Sequence, residues 1–184
     1  MADASLATPA QVLDFWFGAD PQKWFSRDDA FDAAITERFL PAYEAAVAGR
    51  LAGWESTPEG ALALVIVLDQ FSRNMFRGSA RTFAADPQAL AVAKRAVEQG
   101  FDRVVELPKR NFFYMPFMHS ENLADQERCV ALSRQYSDEN TLKYAKLHAD
   151  IIRRFGRFPH RNALLGRATT AEEKAFLDAG GFAG

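Results

Sequence analysis

ALALVIVLDQFSRNMFRG, residues Ala61 to Gly78, decides the fold. Its first eight residues are all apolar, and then Asp69, Arg73 and Arg77 follow at four-residue spacing with Gln70 and Asn74 beside them. On a helix, residues four apart stack on one face. The stretch therefore reads as one helix, apolar on every side where it begins and carrying a narrow polar ridge where it ends. A helix segment that is apolar all round belongs in the middle of a packed body, so the ridge is expected to face an internal cleft.

Helix punctuation recurs on both sides of it. Thr57-Pro58-Glu59 opens the central helix and Gly78 ends it. Upstream, Thr8-Pro9 opens a helix that Gly18 closes, and a loop from Ala19 to Phe25 follows. Ser26 with Asp29 resembles a capping box ahead of Phe31, Ile35, Phe39 and Tyr43, with Pro41 expected to kink or break that helix near Leu40. Downstream, Asp86-Pro87 opens a helix running to Gly100, and Pro108 begins a short aromatic segment, Asn111 to Phe117, that Pro116 breaks. Asn122 with Asp125 caps a helix to about Tyr136, a further helix spans about Asp138 to Phe155 with Gly156 as its stop, and Thr170 with Glu173 forms a capping box before a last helix near Gly180. No run of alternating β-branched residues competes. The expectation is one all-α domain over residues 1–184, with about eight helices in stacked antiparallel pairs.

Composition bounds the function. A chain of 184 residues buries roughly 70% of its unfolded surface, so it folds without a metal or disulfide. Sixteen Phe residues suggest a thick aromatic core. A formal charge of −2 offers no field for nucleic acid or an anionic membrane. The eight-residue apolar run is far short of the ~20 residues of a spanning helix, and MADASLATPA has neither the basic start nor the apolar core of a secretory signal. The single cysteine, Cys129, sits in a helical pattern as a small core residue and suits a reducing cytoplasm.

Three segments carry polar groups that helix packing does not ask for. The first is the ridge Asp69, Gln70, Arg73, Asn74, Arg77, in which Asp69 and Arg73 could equally be a plain ion pair. The second is Tyr114 to Asn122, where His119 with Glu121 is placed at a helix–helix junction as an oriented base. The third is Arg154 to Asn162, with Arg157, His160, Arg161 and Asn162 on one loop between Phe155 and Phe158. From Arg154 to Arg167 the chain carries four Arg and no acid, and Arg suits forked recognition of carboxylate and phosphate. The plain alternative is a solvated surface. No H-x-x-x-H or H-E-x-x-H spacing, cysteine pair, glycine-flanked serine or phosphate-cradling glycine loop is present. A metal site would have to be assembled by the fold from Asp69, His119, Glu121 and His160, and no cofactor is implied.

LDQFSRNMFRGSARTFAAD (Leu68–Asp86), FFYMPFMHSENLADQE (Phe112–Glu127) and FGRFPHRNALLGR (Phe155–Arg167), with VLDFWFG (Val12–Gly18) and Trp24-Phe25, resemble the signature blocks of a bacterial family, domain of unknown function 924. The resemblance covers nearly the whole chain. It implies a tetratricopeptide-like arrangement of stacked helix pairs and no particular activity. Ser72 stands where the family pattern has Pro, which implies a less bent ridge helix.

Together these readings lead to a cytoplasmic helical protein with an Arg/His-lined pocket for a small anionic molecule. Arg73, Arg77, Arg157 and Arg161 would hold the anion, Asn74 and Asn162 would orient it, and His119, steadied by Glu121, would move a proton. One alternative is a protein-interaction module that takes an acidic or carboxylate-bearing peptide. The other is a metal-dependent hydrolase.

Overall fold

A computed structural model describes residues 6–183; residues 1–5, part of the amino-terminal stretch read above, lie outside the described residues. The described residues are mainly helical, from Pro9 to Asp178, and no strand occurs among them. Eleven α-helical segments run α1 (Pro9–Gly18), α2 (Gln22–Phe25), α3 (Asp29–Val47), α4 (Pro58–Val65), α5 (Ser72–Met75), α6 (Asp86–Glu98), α7 (Phe101–Val104), α8 (Met115–His119), α9 (Leu123–Tyr136), α10 (Glu139–Phe155) and α11 (Ala171–Asp178). A π-helical stretch, Ile66–Phe71, joins α4 to α5 without a break, so the described residues hold ten helices where the sequence suggested about eight. The additional ones are the single turns α2 and α7, too short for a periodic signal. None of the helices among the described residues is long and apolar enough to cross a membrane.

The central helix lies where its composition requires. Ala61 to Leu68 are each 3% exposed or less. α1 and α6 pack on α4, and α3 packs on the π stretch and α5. Thr57 accepts a hydrogen bond from the Gly60 amide at 3.1 Å and Pro58 follows it, the start that the sequence announces. Gly60 is also where the 3₁₀ turn Ala52–Ser56 crosses the helix: a Cβ there would lie 2.1 Å from the Trp54 carbonyl oxygen. Thr57→Ala is expected to lower stability by about 1 kcal/mol, the usual cost of a lost N-cap, read as a shifted urea midpoint at unchanged m-value.

The aromatic core gathers around the same helix. The Phe71 ring centroid lies 5.7 Å from that of Trp16, 4.8 Å from Phe39 and 6.3 Å from Phe15. Phe112 meets Trp16 edge-on at 5.8 Å. Cys129 is buried, and its thiol is pushed up to about 12 by that burial, in keeping with a packing role. A smaller cluster of Ile151, Ile152 and Phe158, with Phe155, Phe176 and Phe182 against it, holds the carboxyl-terminal end together. α9 and α10 are joined by two residues and pack along one another.

Three local expectations are corrected. Ser26 ends α2 and donates to the Gln22 carbonyl, and the true cap of α3 is Asp28, which accepts from the Phe31 amide at 2.9 Å. α3 continues through Pro41, because Pro41 and Glu37 both lie on its exposed face, where the carbonyl left without a donor meets water. Pro116 does not end a helix but stands in the first turn of α8, after a 3₁₀ turn from Lys109 to Phe113.

Candidate functional site

The π stretch sets the position of the central acid. A turn one residue wider than that of an α-helix rotates the residues after it, so Asp69 points inward and is fully buried. Ser72 opens α5 there, and its hydroxyl donates to the Asp69 carbonyl at 2.9 Å. The Asp69 carboxylate accepts from His119 Nδ1 at 2.8 Å and from the Gln70 amide, and lies 3.2 Å from Arg73 Nη1. Arg73 in turn forks onto Asp86, Nη1 and Nη2 each 3.1 Å from a carboxylate oxygen. Asp86 also accepts from Arg161 Nη1 at 3.3 Å. The π stretch with α5, the start of α6, α8 and the turn Pro159–Arg161 thereby meet in one row of alternating charge.

That row determines protonation. Burial alone would raise the Asp69 carboxyl, but Arg73 and then His119 outweigh it and hold the group below the ordinary carboxylate range. Burial pulls the Arg73 guanidinium down, while Asp69 and Asp86 more than restore it. His119 goes the other way: burial, then Arg73, lowers it from its usual value despite Asp69. It is neutral at pH 7. An ionised Asp69 has no proton to give, so Nδ1 carries the hydrogen and Nε2 keeps the lone pair. A base oriented by a buried carboxylate is the arrangement that proton transfer asks for.

His119 and Arg161 both border a cleft of about 340 Å³. Phe83, Pro87, Leu90 and Leu165 supply much of its wall, and Asp86 and Glu121 are at its edge. The Arg161 guanidinium packs against two rings, 4.5 Å from the Phe83 centroid and 4.6 Å from that of Phe158. It is 6% exposed, its Nε has no acceptor, and its one carboxylate contact is the 3.3 Å approach to Asp86. Burial, then Arg73, push its pKa down to about 10, which leaves it charged at neutral pH.

The other residues that the sequence singles out are spent elsewhere. Arg77 lies beyond the end of α5, and it and Asn74 both turn to Asp32 of α3. Arg157 and Asn162 both bind Glu173 in the first turn of α11. Glu121 does not steady His119: the chain becomes extended at Ser120, and the Glu121 carboxylate, though it also borders the cleft, is held by other groups. It takes the Arg167 fork at 2.7 and 3.0 Å and the Phe158 amide at 2.8 Å. His160 lies against Phe158 and Phe182 with Nδ1 buried and unpartnered, and Gln70 reaches Met115 Sδ as well as Asp69. Among the described residues, no three His, Cys, Asp or Glu side chains are grouped so as to hold a metal ion. Sequence reasoning missed Asp86, Phe83, Leu165 and Arg167. An Asp before Pro at a helix start reads as a cap, whereas Asp86 is the first helical residue and makes no cap bond at all.

A model of a family described as bacterial protein of unknown function, DUF924, matches residues 12–181. No curated protein matches the chain. A solved structure of a protein of unknown function, ATU0120 from Agrobacterium tumefaciens, is 45% identical, covers 93% of this chain and 97% of its own, and superposes with a TM-score of 0.90. With the match extending over all the segments that build the charged row and the cleft, the chain belongs to the DUF924 family of bacterial proteins of unknown function.

Proposed function

We propose that the cleft binds a small anionic molecule on Arg161 and that His119, oriented by Asp69, exchanges a proton with it. The observation that carries this reading is Arg161: a buried guanidinium with one long carboxylate contact and an orphaned Nε, on the wall of a cleft it shares with a neutral imidazole. A guanidinium has five N–H donors, and this one has a single long side-chain acceptor, so it has donor capacity left for an anion in the cleft. Arg73 acts by holding Asp69 and Asp86 in place rather than by touching the ligand. The same reading carries a cytoplasmic setting. It also carries a tetratricopeptide-like stacking of helix pairs, supported by the packing of α9 along α10.

The test is a thermal-shift screen of phosphorylated and carboxylate metabolites at constant ionic strength. A ligand at a hundred times its dissociation constant adds about 2.7 kcal/mol, roughly 5–10 °C for a chain of this size. The expected result is a selective shift that is lost in Arg161→Gln, partly kept in Arg161→Lys, and accompanied by unchanged helical circular dichroism in both. A shift that survives in Arg161→Gln, or a screen in which neither anion class moves the midpoint, overturns the reading.

A further inference from the structure

The walls and the charge balance of the cleft narrow the ligand. Resting on the anion reading above, we propose that the ligand is a monocarboxylate with a short apolar tail, its carboxylate along the edge of Arg161 and its tail over Phe83, Pro87, Leu90 and Leu165. The charges around the cleft cancel: Arg73, Arg161 and Arg167 stand against Asp69, Asp86 and Glu121. A single negative charge unbalances that set least, whereas a phosphate dianion would bring two charges beside the Asp86 and Glu121 carboxylates that line the cleft. The start of α6 borders the cleft but offers no phosphate cradle, because Pro87 has no amide hydrogen and the Asp86 carboxylate already puts negative charge there.

The shape of the cation agrees. The Arg161 guanidinium carbon lies 4.5 and 4.6 Å from the Phe83 and Phe158 ring centroids, and its hydrogen-bond donors lie along its edge. A planar carboxylate meets a guanidinium edge with two parallel hydrogen bonds. Phe83, Pro87, Leu90 and Leu165 give the cleft apolar wall beside Arg161, and Leu165 remains 37% exposed. A volume of about 340 Å³ is at the low end for small-molecule sites, roughly 300–1,000 Å³. It suits a body of a few carbons.

The experiment is titration calorimetry of the full chain with sodium acetate, butanoate, hexanoate and octanoate, beside inorganic phosphate and hexyl phosphate, at constant ionic strength. The dissociation constant is expected to fall by about fourfold for each methylene buried until the cleft is full. Hexyl phosphate is expected to bind at least tenfold more weakly than hexanoate. Leu165→Ser, at an exposed position where folding is not at issue, is expected to weaken hexanoate several-fold and leave acetate unchanged. If hexyl phosphate equals or exceeds hexanoate and its binding depends on Arg161, the carboxylate assignment falls and the anion reading stands. Affinity independent of chain length removes the tail from the proposal. Failure of every carboxylate and every phosphate to bind in an Arg161-dependent manner overturns both readings together.

Discussion

Asp69→Ala is expected to lower stability by about 3–5 kcal/mol, the usual loss when one member of a buried ion pair is removed. At roughly 2–4 °C per kcal/mol for a chain of this size, the thermal midpoint should drop by about 6–20 °C. The Asp69 carboxylate is wholly buried and is the acceptor for His119 Nδ1, Arg73 and the Gln70 amide at once. Alanine removes the acceptor and leaves those donors in place. Arg73 keeps its fork to Asp86, so the imidazole and the amide bear most of the loss. Asp69→Asn separates shape from charge: it keeps the volume and a carbonyl acceptor, and should fall between wild type and Asp69→Ala. Urea denaturation with calorimetry measures both. A loss below 1 kcal/mol for Asp69→Ala would mean that the row of charges contributes no more than exposed ion pairs do.

Acidification from pH 6.5 to pH 4 is expected to destabilise the protein by several kcal/mol, before most carboxylates titrate. Burial pushes His148 and His160 each down to about 4, with Arg161 adding to the effect on both. His148 lies 5.5 Å from the Phe158 ring and 4.5 Å from that of Phe182, its Nδ1 bonded to the Tyr144 carbonyl. His160 packs against the same two rings. Below about 6.5 the unfolded chain takes up these protons and the folded chain does not until near pH 4. The folded state is therefore penalised progressively as pH falls through that window, and above it the histidines contribute no slope. Linkage puts the loss at about 2 kcal/mol per histidine at pH 5. His119, also lowered, adds to the same slope. Calorimetry from pH 7.5 to 4.5 should show the midpoint flat at the top and falling below 6.5. The double variant His148→Phe/His160→Phe should flatten most of that fall, and an unchanged slope in the variant would place the acid sensitivity elsewhere.

What could be read from the chain divides along a physical line. Segments whose signal is local were legible: the all-apolar run Ala61–Leu68, the caps Thr8, Thr57, Asn122 and Thr170, and the glycine stop at Gly156 all stand where the sequence put them. Single-turn helices and the π stretch were not, since a widened turn leaves no mark on a four-residue pattern. The ridge also splits, because Asp69 and Arg73 pair with one another whereas Asn74 and Arg77 turn to Asp32, 42 and 45 residues away in the chain. The candidate site was half legible for the same reason. His119 and Arg161 were picked out by residue type, but which acid each would meet could not be.

The sequence by itself determined the class of fold, the helix that would be buried and the residue types able to do chemistry, because periodicity, capping and hydrophobicity act over a few residues. Only the tertiary structure decided the partners. Arg77, Arg157, Asn162 and Glu121 are taken up by Asp32, Glu173 and Arg167, and Asp86 becomes the bridge between Arg73 and Arg161. Ion pairing is satisfied by whichever opposite charge the packed helices bring within about 3 Å. Across separations of 46 residues for Glu121 and Arg167 and 75 for Asp86 and Arg161, the packing of α5, α6 and α8 chooses that neighbour, and the local pattern carries no trace of it.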